Sequence, residues 1–427
     1  MRALPDQVSC PGNQQRNKII LEGYIMQLAG KIKDLSEKYR SYTAEVLGKM
    51  IRVPGFSGKE KDRCEVIVKL CREAGFDEVY IDGLGSVVGR VGHGPKKLAF
   101  DAHIDTVEVG DRSQWKADPF GGNVTEDGLV YGLGSSDQLG GAACMIASGR
   151  ILKELGYDGK FTIYYTFTVM EEDCDGLCWL YLIEEEGLKP DYIVSSEPTA
   201  CRLFRGQRGR MEIEIQLKGI SSHGSLPHNG VSAAYKAARA ALAMEQLNED
   251  LKPDQDNFLG KGSVVVSMME VKGPSQCSVP DEARLYLDRR LTWGEDEEIA
   301  IGQVVDYITK ALGEAPYKVY MPNYGKKGYK GTDFTQELYF PTWKTEEDSE
   351  LVVSSRNAFK ELYGQDLVPG PCVYSTNAVA FCGRHHIPTV IMGPGDVEAC
   401  HKPNETTRIN DLVTCTAFYA MLPYILK

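Results

Sequence analysis

The chain has 427 residues, 42% of them apolar and 25% charged, with 48 basic against 60 acidic side chains and a net charge of −12. That length exceeds one ordinary compact core and predicts two or three domains. The acidic balance argues against nucleic acid or an anionic membrane surface as a partner, because both need a basic footprint.

Residues 1–16 read as a mobile lead. Met1 to Asn13 are polar and lack the apolar segment of a secretory signal. No run approaches the ~18 apolar residues of a transmembrane helix. The twelve cysteines are scattered without a CxxC pair, so they read as reduced thiols of a cytoplasmic protein. Cys174 and Cys178 alone lack the partners that structural zinc needs.

Ile25, Leu28, Ile32, Leu35 and Tyr39 recur at helical spacing. Helices are also predicted over 42–50, before Val53-Pro54-Gly55, and over 60–74, closed by Gly75. Strands follow at 79–81, 86–91 and 97–102. Residues 161–170 are rich in β-branched and aromatic side chains and predict a buried strand, with shorter ones at 192–196 and 389–392. Helices are predicted between or after them at 139–155, 176–186, 349–363 and 377–382. Alternating strand and helix predicts an α/β sheet covered on both faces.

The stretch 206–322 differs. Met211, Ile213, Ile215 and Leu217 alternate as on a half-buried strand, and 231–247 is an alanine-rich amphipathic helix. Strands at 263–271 and 283–291 and a helix at 295–312 complete a small α+β domain inserted in the larger one. The hinges fall near Gly206 and within 317–323. The chain thus divides into a lead and helix (1–41), a larger domain in two parts (42–205 and 323–427) and the insert (206–322).

Seven histidines are present, and few have a context that points to chemistry. His103 and Asp105 lie just past an apolar strand, two apart, so extended backbone puts them on one face. They are either a metal-binding imidazole with its orienting carboxylate or a strand-end histidine beside a solvated acid. Asp137 follows a glycine-rich run. A phosphate loop is weakly supported there, since no Gly-Lys-Ser/Thr follows; Asp137 is an N-cap or a two-oxygen ligand for two cations. Glu171 and Glu172 end a strand, where adjacent buried acids raise each other's pKa. One ligand and one general base would resolve that, and so would a solvated turn. Glu197 and His401 also follow short apolar strands. His223 precedes the long helix of the insert and faces a cleft or caps a loop. His385 and His386 read as turn residues, His93 carries no signal, and Glu184 to Glu186 read as a solvated face.

The order and spacing of His103-Ile104-Asp105-Thr106-Val107, Asp137, Glu171-Glu172, Ser196-Glu197-Pro198 and His401 resemble the metallopeptidase M20 family of aminoacylases, carboxypeptidases, dipeptidases and succinyl-diaminopimelate desuccinylases. The resemblance runs from about Tyr42 to the end and is nearest the branch called selenium-metabolism-linked hydrolases. It implies a three-layer catalytic domain with a mixed sheet covered by helices, plus an inserted α+β dimerisation or lid domain. It implies two divalent metal ions, zinc foremost, with cobalt or manganese as alternatives. His103 and Glu197 would hold one, Glu172 and His401 the other, with Asp137 between them. Glu171 would be the general base for a metal-bridging hydroxide, and Asp105 would orient His103. His223 would stabilise the oxyanion in a partner subunit of a homodimer formed through the insert. Arg290 would grip a substrate carboxylate, with Asn377 and Gly395 as further substrate contacts. The family commonly has a cis peptide after the bridging aspartate, here Asp137–Gln138.

Departures from the family pattern fall at Met170, Gln138-Leu139, Cys277 and Ser375-Thr376-Asn377, and they bear on substrate choice. The reaction implied is hydrolysis of an amide bond in a small N-acyl amino acid or dipeptide-like molecule. A ureido or carbamoyl amidohydrolase and a metal-free binding protein are the alternatives.

Overall fold

The structure, a computed structural model, describes residues 11–427, with side chains from residue 22 onward. Residues 11–16, expected in the mobile lead, belong instead to the helix Pro11–Lys38; the remainder of that lead lies outside the described residues.

Apolar strands line up in one large mixed sheet. Its order is Glu78–Ile81, Val87–Val91, Phe161–Thr168, Lys96–His103, Tyr192–Pro198, Thr389–Gly393, Phe204–Gln207 and Trp343–Lys344, with Gly370–Cys372 joining Phe204–Gln207. The four strands at its centre run parallel. Their carboxyl ends therefore open on one edge, where ligands of such sheets collect.

Both faces of the sheet are covered, and adjacent residues of one strand show it. Phe100 packs on Tyr419 of the helix Ile409–Ile425 at 5.0 Å between ring centroids. Its neighbour Asp101 points the other way, accepting from Thr166 at 2.9 Å and from Asn377 at 3.2 Å. Burying each large aromatic of this core contributes ~1.5–3 kcal/mol.

Helix ends follow local chemistry. Ser349 accepts from the N–H of Val352 to start Glu350–Tyr363, and Gly364, at φ +68°, stops it. Ser232 and Asp296 cap Ala233–Asp250 and Glu297–Leu312 in the same way.

The second sheet has its own core, separate from the first. Strands Ser263–Lys272, Glu282–Leu291, Gly209–Lys218 and Tyr317–Tyr320 pair in that order, antiparallel. Met211, Ile213, Leu285 and Leu287 face Ala237, Met244, Val304 and Ile308 of the two helices. Tyr339–Phe340 also pairs with Gly209–Lys218, so the small sheet takes a strand from beyond the expected hinge.

Candidate metal centre

The ends of the parallel strands deliver the chemistry. His103 is the last residue of Lys96–His103, and Glu197 lies near the end of Tyr192–Pro198. The next strand was expected to run to Met170 but ends at Thr168. Met170 sits at φ +63°, and its N–H goes to the buried Glu60 at 3.1 Å. That turn presents Glu171 and Glu172. His401 also holds a left-handed backbone, at φ +57°. Such backbone is costly for non-glycine residues and concentrates at functional sites.

Two imidazoles straddle one carboxylate. His103 Nε2 lies 2.9 Å from Asp137 Oδ1, and His401 Nε2 lies 3.4 Å from Asp137 Oδ2. His401 Nε2 is also 3.1 Å from Glu172, and His103 Nε2 is 3.7 Å from Glu171. Asp137 has non-helical backbone and caps no helix, and the Asp137–Gln138 peptide is cis. The N-cap alternative therefore falls away.

Among the described residues, two donor groups lie within 4.8 Å: His103 with Glu171 and Glu197, and His103 with Asp137 and Glu172. His401 stands outside both groups and is half exposed. Four carboxylates this close fit a dication better than each other. Burial, with neighbouring carboxylate charge behind it, pushes Glu171 and Glu197 well above the usual range and raises Glu172. Burial alone would lower the His103 ring, but Glu171, Asp105 and Asp137 outweigh it and hold it high. Asp137 and Glu172 raise His401 to about 10. Burial opposes ionisation of Asp137, yet its bonds to the two rings win and depress it. Such a set of imidazoles and carboxylates suits a borderline divalent metal.

Asp105 organises the site from behind. Its carboxylate lies 3.5 Å from His103 Nδ1 and accepts from Ser57 Oγ at 2.6 Å. It also accepts the backbone N–H groups of Glu171 at 3.1 Å and Glu172 at 3.0 Å. One residue thus orients both: the Asp105 backbone carbonyl lies 3.1 Å from His103 Nδ1, and the Asp105 carboxylate holds the two-acid turn.

Some candidates lie elsewhere. Asn377, expected to touch substrate, is fully buried. Its amide donates to Asp101 and Thr168 and accepts from the Gly176 N–H, so no polar atom remains for a ligand. Gly395, also expected there, gives its carbonyl to the Ala200 N–H, and a side chain in its place would strike Ser136. His223 is exposed on the insert and does not line the cavity over the site. Its Nδ1 accepts from the Ser225 N–H, which leaves Nε2 as the donor. His386 sits at φ +56°, in keeping with a turn.

Four contributors had no expected role. Glu405 accepts the N–H groups of Gly134, Ser136 and Asp137. Gln138, noted only as a departure, donates to Glu197 at 2.7 Å and accepts from Ser196 at 2.8 Å. Arg210 and Asp175 line the cavity of about 300 Å³ above the site, together with Arg290, Tyr374 and Ser375. Arg210 left a sequence trace too, as a charge on a strand whose other face is apolar.

A profile of peptidase family M20/M25/M40 matches residues 99–424. The uncharacterized protein YgeY of Escherichia coli (strain K12) is 43% identical over 394 residues, covering 92% of this chain and 96% of that protein. Aminopeptidase PepT from Bacillus cereus has a similar structure, with a TM-score of 0.70 at 19% identity over 91% of this chain and 99% of its own. So does Bacillus subtilis YXEP, described as a dinuclear metal binding peptidase, with a TM-score of 0.67 at 15% identity over 91% and 99%. At those identities the two structures speak for the fold, while the profile and the E. coli relative place the sequence: the chain is a hydrolase and belongs to peptidase family M20/M25/M40.

Proposed function

We propose that this chain hydrolyses an amide bond of a small N-acyl amino acid or dipeptide-like substrate with two divalent cations, zinc foremost and cobalt or manganese as alternatives. The observation that carries the reading is Asp137, with one imidazole at each carboxylate oxygen. His103 and Glu197 would hold one cation, Glu172 and His401 the other, and Asp137 would serve both. The dinuclear metal binding described for the B. subtilis protein supports this.

When bound, the cations polarise the scissile carbonyl and lower the pKa of water toward ~7. Glu171 takes the proton from the attacking water and passes it to the leaving nitrogen. Asp105 fixes the backbone that aims Glu171. Gln138 keeps Glu197 in place. Arg290 takes a substrate carboxylate at the cavity wall. His223 Nε2 donates to the oxyanion in a second subunit, a contact worth ~3–4 kcal/mol.

The second subunit is another copy of this chain. Ser263–Lys272 is an edge strand with Val265, Met268, Met269 and Val271 exposed. Tyr235 and Leu242 are exposed on the helix Ala233–Asp250, and a groove between that helix and the strand is lined by Ala238, Leu242, Val264 and Val266. An uncovered apolar edge of this kind invites a partner. No helix among the described residues is long and apolar enough to cross a membrane. The free, mostly buried cysteines support a reducing, cytoplasmic setting.

A substrate panel tests the reading. Zinc- or cobalt-loaded protein is offered N-acyl amino acids, dipeptides and ureido acids. Released amine without ammonia is expected; ammonia release from ureido acids alone would shift the assignment to a carbamoyl amidohydrolase.

A further inference from the structure

Arg210 and Arg290 are direct cross-strand partners in the small sheet. Both project from the face opposite its apolar core and line the cavity over the metal centre. Like charges placed directly opposite on a sheet are destabilising. Each guanidinium is therefore held by a carboxylate of its own. Asp288 takes the Nε and Nη2 edge of Arg290 at 2.8 and 2.9 Å. Arg210 reaches Asp175 at 3.4 Å and Glu212 at 3.7 Å, and its guanidinium lies 4.4 Å from the centroid of the Phe340 ring.

Neither arginine is saturated. The fork on Asp288 leaves Arg290 its outer edge, enough for one bidentate carboxylate. The contact of Arg210 with Asp175 is longer than the ~2.7–2.9 Å of a charge-assisted bond. Arg210 Nε is buried without a partner, and so is Asp175 Oδ2. The contact with the Phe340 ring consumes no N–H. Other polar groups of the cavity wall are already engaged: the Tyr374 hydroxyl donates to the Pro198 carbonyl, and Ser375 Oγ accepts from Gln207. Among the described residues, the arginines are the only cationic side chains lining the cavity apart from the two imidazoles.

We propose that Arg210 and Arg290 form a two-guanidinium clamp that selects a substrate with two carboxylates, one for each arginine, such as an N-acyl or dipeptide derivative of an acidic amino acid. The clamp rests on the amide-hydrolysis reading for the rest of the substrate, though not for its own binding chemistry. Asp175 follows Glu171 by four residues, so Arg210 ties the insert to the very turn that carries the general base. A carboxylate arriving at Arg210 takes up the donors that Asp175 leaves unused.

Calorimetry on zinc-loaded Glu171→Gln protein measures the binding of N-acetyl-L-glutamate and N-acetyl-L-leucine without turnover. The clamp predicts that the dicarboxylate binds ~10–100-fold tighter, as expected for one charged hydrogen-bonded pair. Arg210→Gln should collapse that ratio toward one. Arg210→Lys keeps the stem and the charge and should leave an intermediate ratio, which guards against a folding defect. Equal affinities, no detectable binding of either ligand, or a ratio unmoved by Arg210→Gln overturns the clamp. Amine release by the wild-type protein is scored in parallel. Turnover of both compounds without preference removes the clamp and keeps the hydrolase reading. An Arg210-dependent preference without any turnover does the reverse.

Discussion

Glu405 accepts the backbone N–H of Asp137 at 2.9 Å, joining two residues that lie 268 positions apart. The same carboxylate takes the N–H groups of Gly134 and Ser136, each at 2.7 Å. The glycine-rich loop thus cradles a carboxyl group, and that group belongs to the protein itself. Burial, reinforced by the Asp137 charge, raises the Glu405 carboxyl to about 8. Glu405→Gln would set an amide N–H against backbone donors and loosen the loop that carries Asp137. We expect zinc affinity, measured by chelator competition, to fall ~10–100-fold, the range for supporting partners of metal ligands. Unchanged affinity would show that the loop holds its shape without Glu405.

Glu171→Gln keeps the size of the side chain and the backbone bond to Asp105 but removes the base. Turnover of the best panel substrate should fall by ~10²–10⁴-fold. Metal content should stay at the wild-type level. Retained turnover would move the base to another residue.

Much of this site was legible because of where strands stop. His103, Glu171 and Glu197 each follow a buried apolar run, and the parallel sheet brings those ends to one edge. Glu405 left no such sign, because its role lies in backbone donors far away in sequence. The helix Ile409–Ile425 was invisible for another reason. It is buried nearly all round, so its apolar residues show no helical period. Asn377 was placed at the substrate by the family resemblance alone, whereas here its amide donates to the buried carboxyl of Asp101. Arg210 reads in sequence as the solvated face of a strand, and only the packing of the small sheet over the cavity gives it a role.

That burial of Asn377 has a stability consequence. Asn377→Ala strips a donor from Asp101, which is fully buried, and an acceptor from the Gly176 N–H. Unfolding by urea should show a loss of ~1–3 kcal/mol, since buried polar groups are left short of partners. KM should not change. A raised KM with intact stability would return Asn377 to the substrate site.

Val265 is 57% exposed on the edge strand Ser263–Lys272. Val265→Asp places a charge on the surface proposed to meet a second copy and should shift light-scattering mass from dimer to monomer. If His223 acts across that interface, turnover per chain should fall in step with the dimer fraction. A monomeric wild-type protein with full activity would remove both the interface and the role of His223.

The central claim is the pair of cations around Asp137, and bound metal per chain tests it most directly. After zinc loading and removal of free metal, elemental analysis should find ~2 equivalents, as a two-metal site requires. His401→Ala should reduce that toward ~1, because it removes a ligand from one position only. Less than about half an equivalent in the loaded wild-type protein would contradict the account.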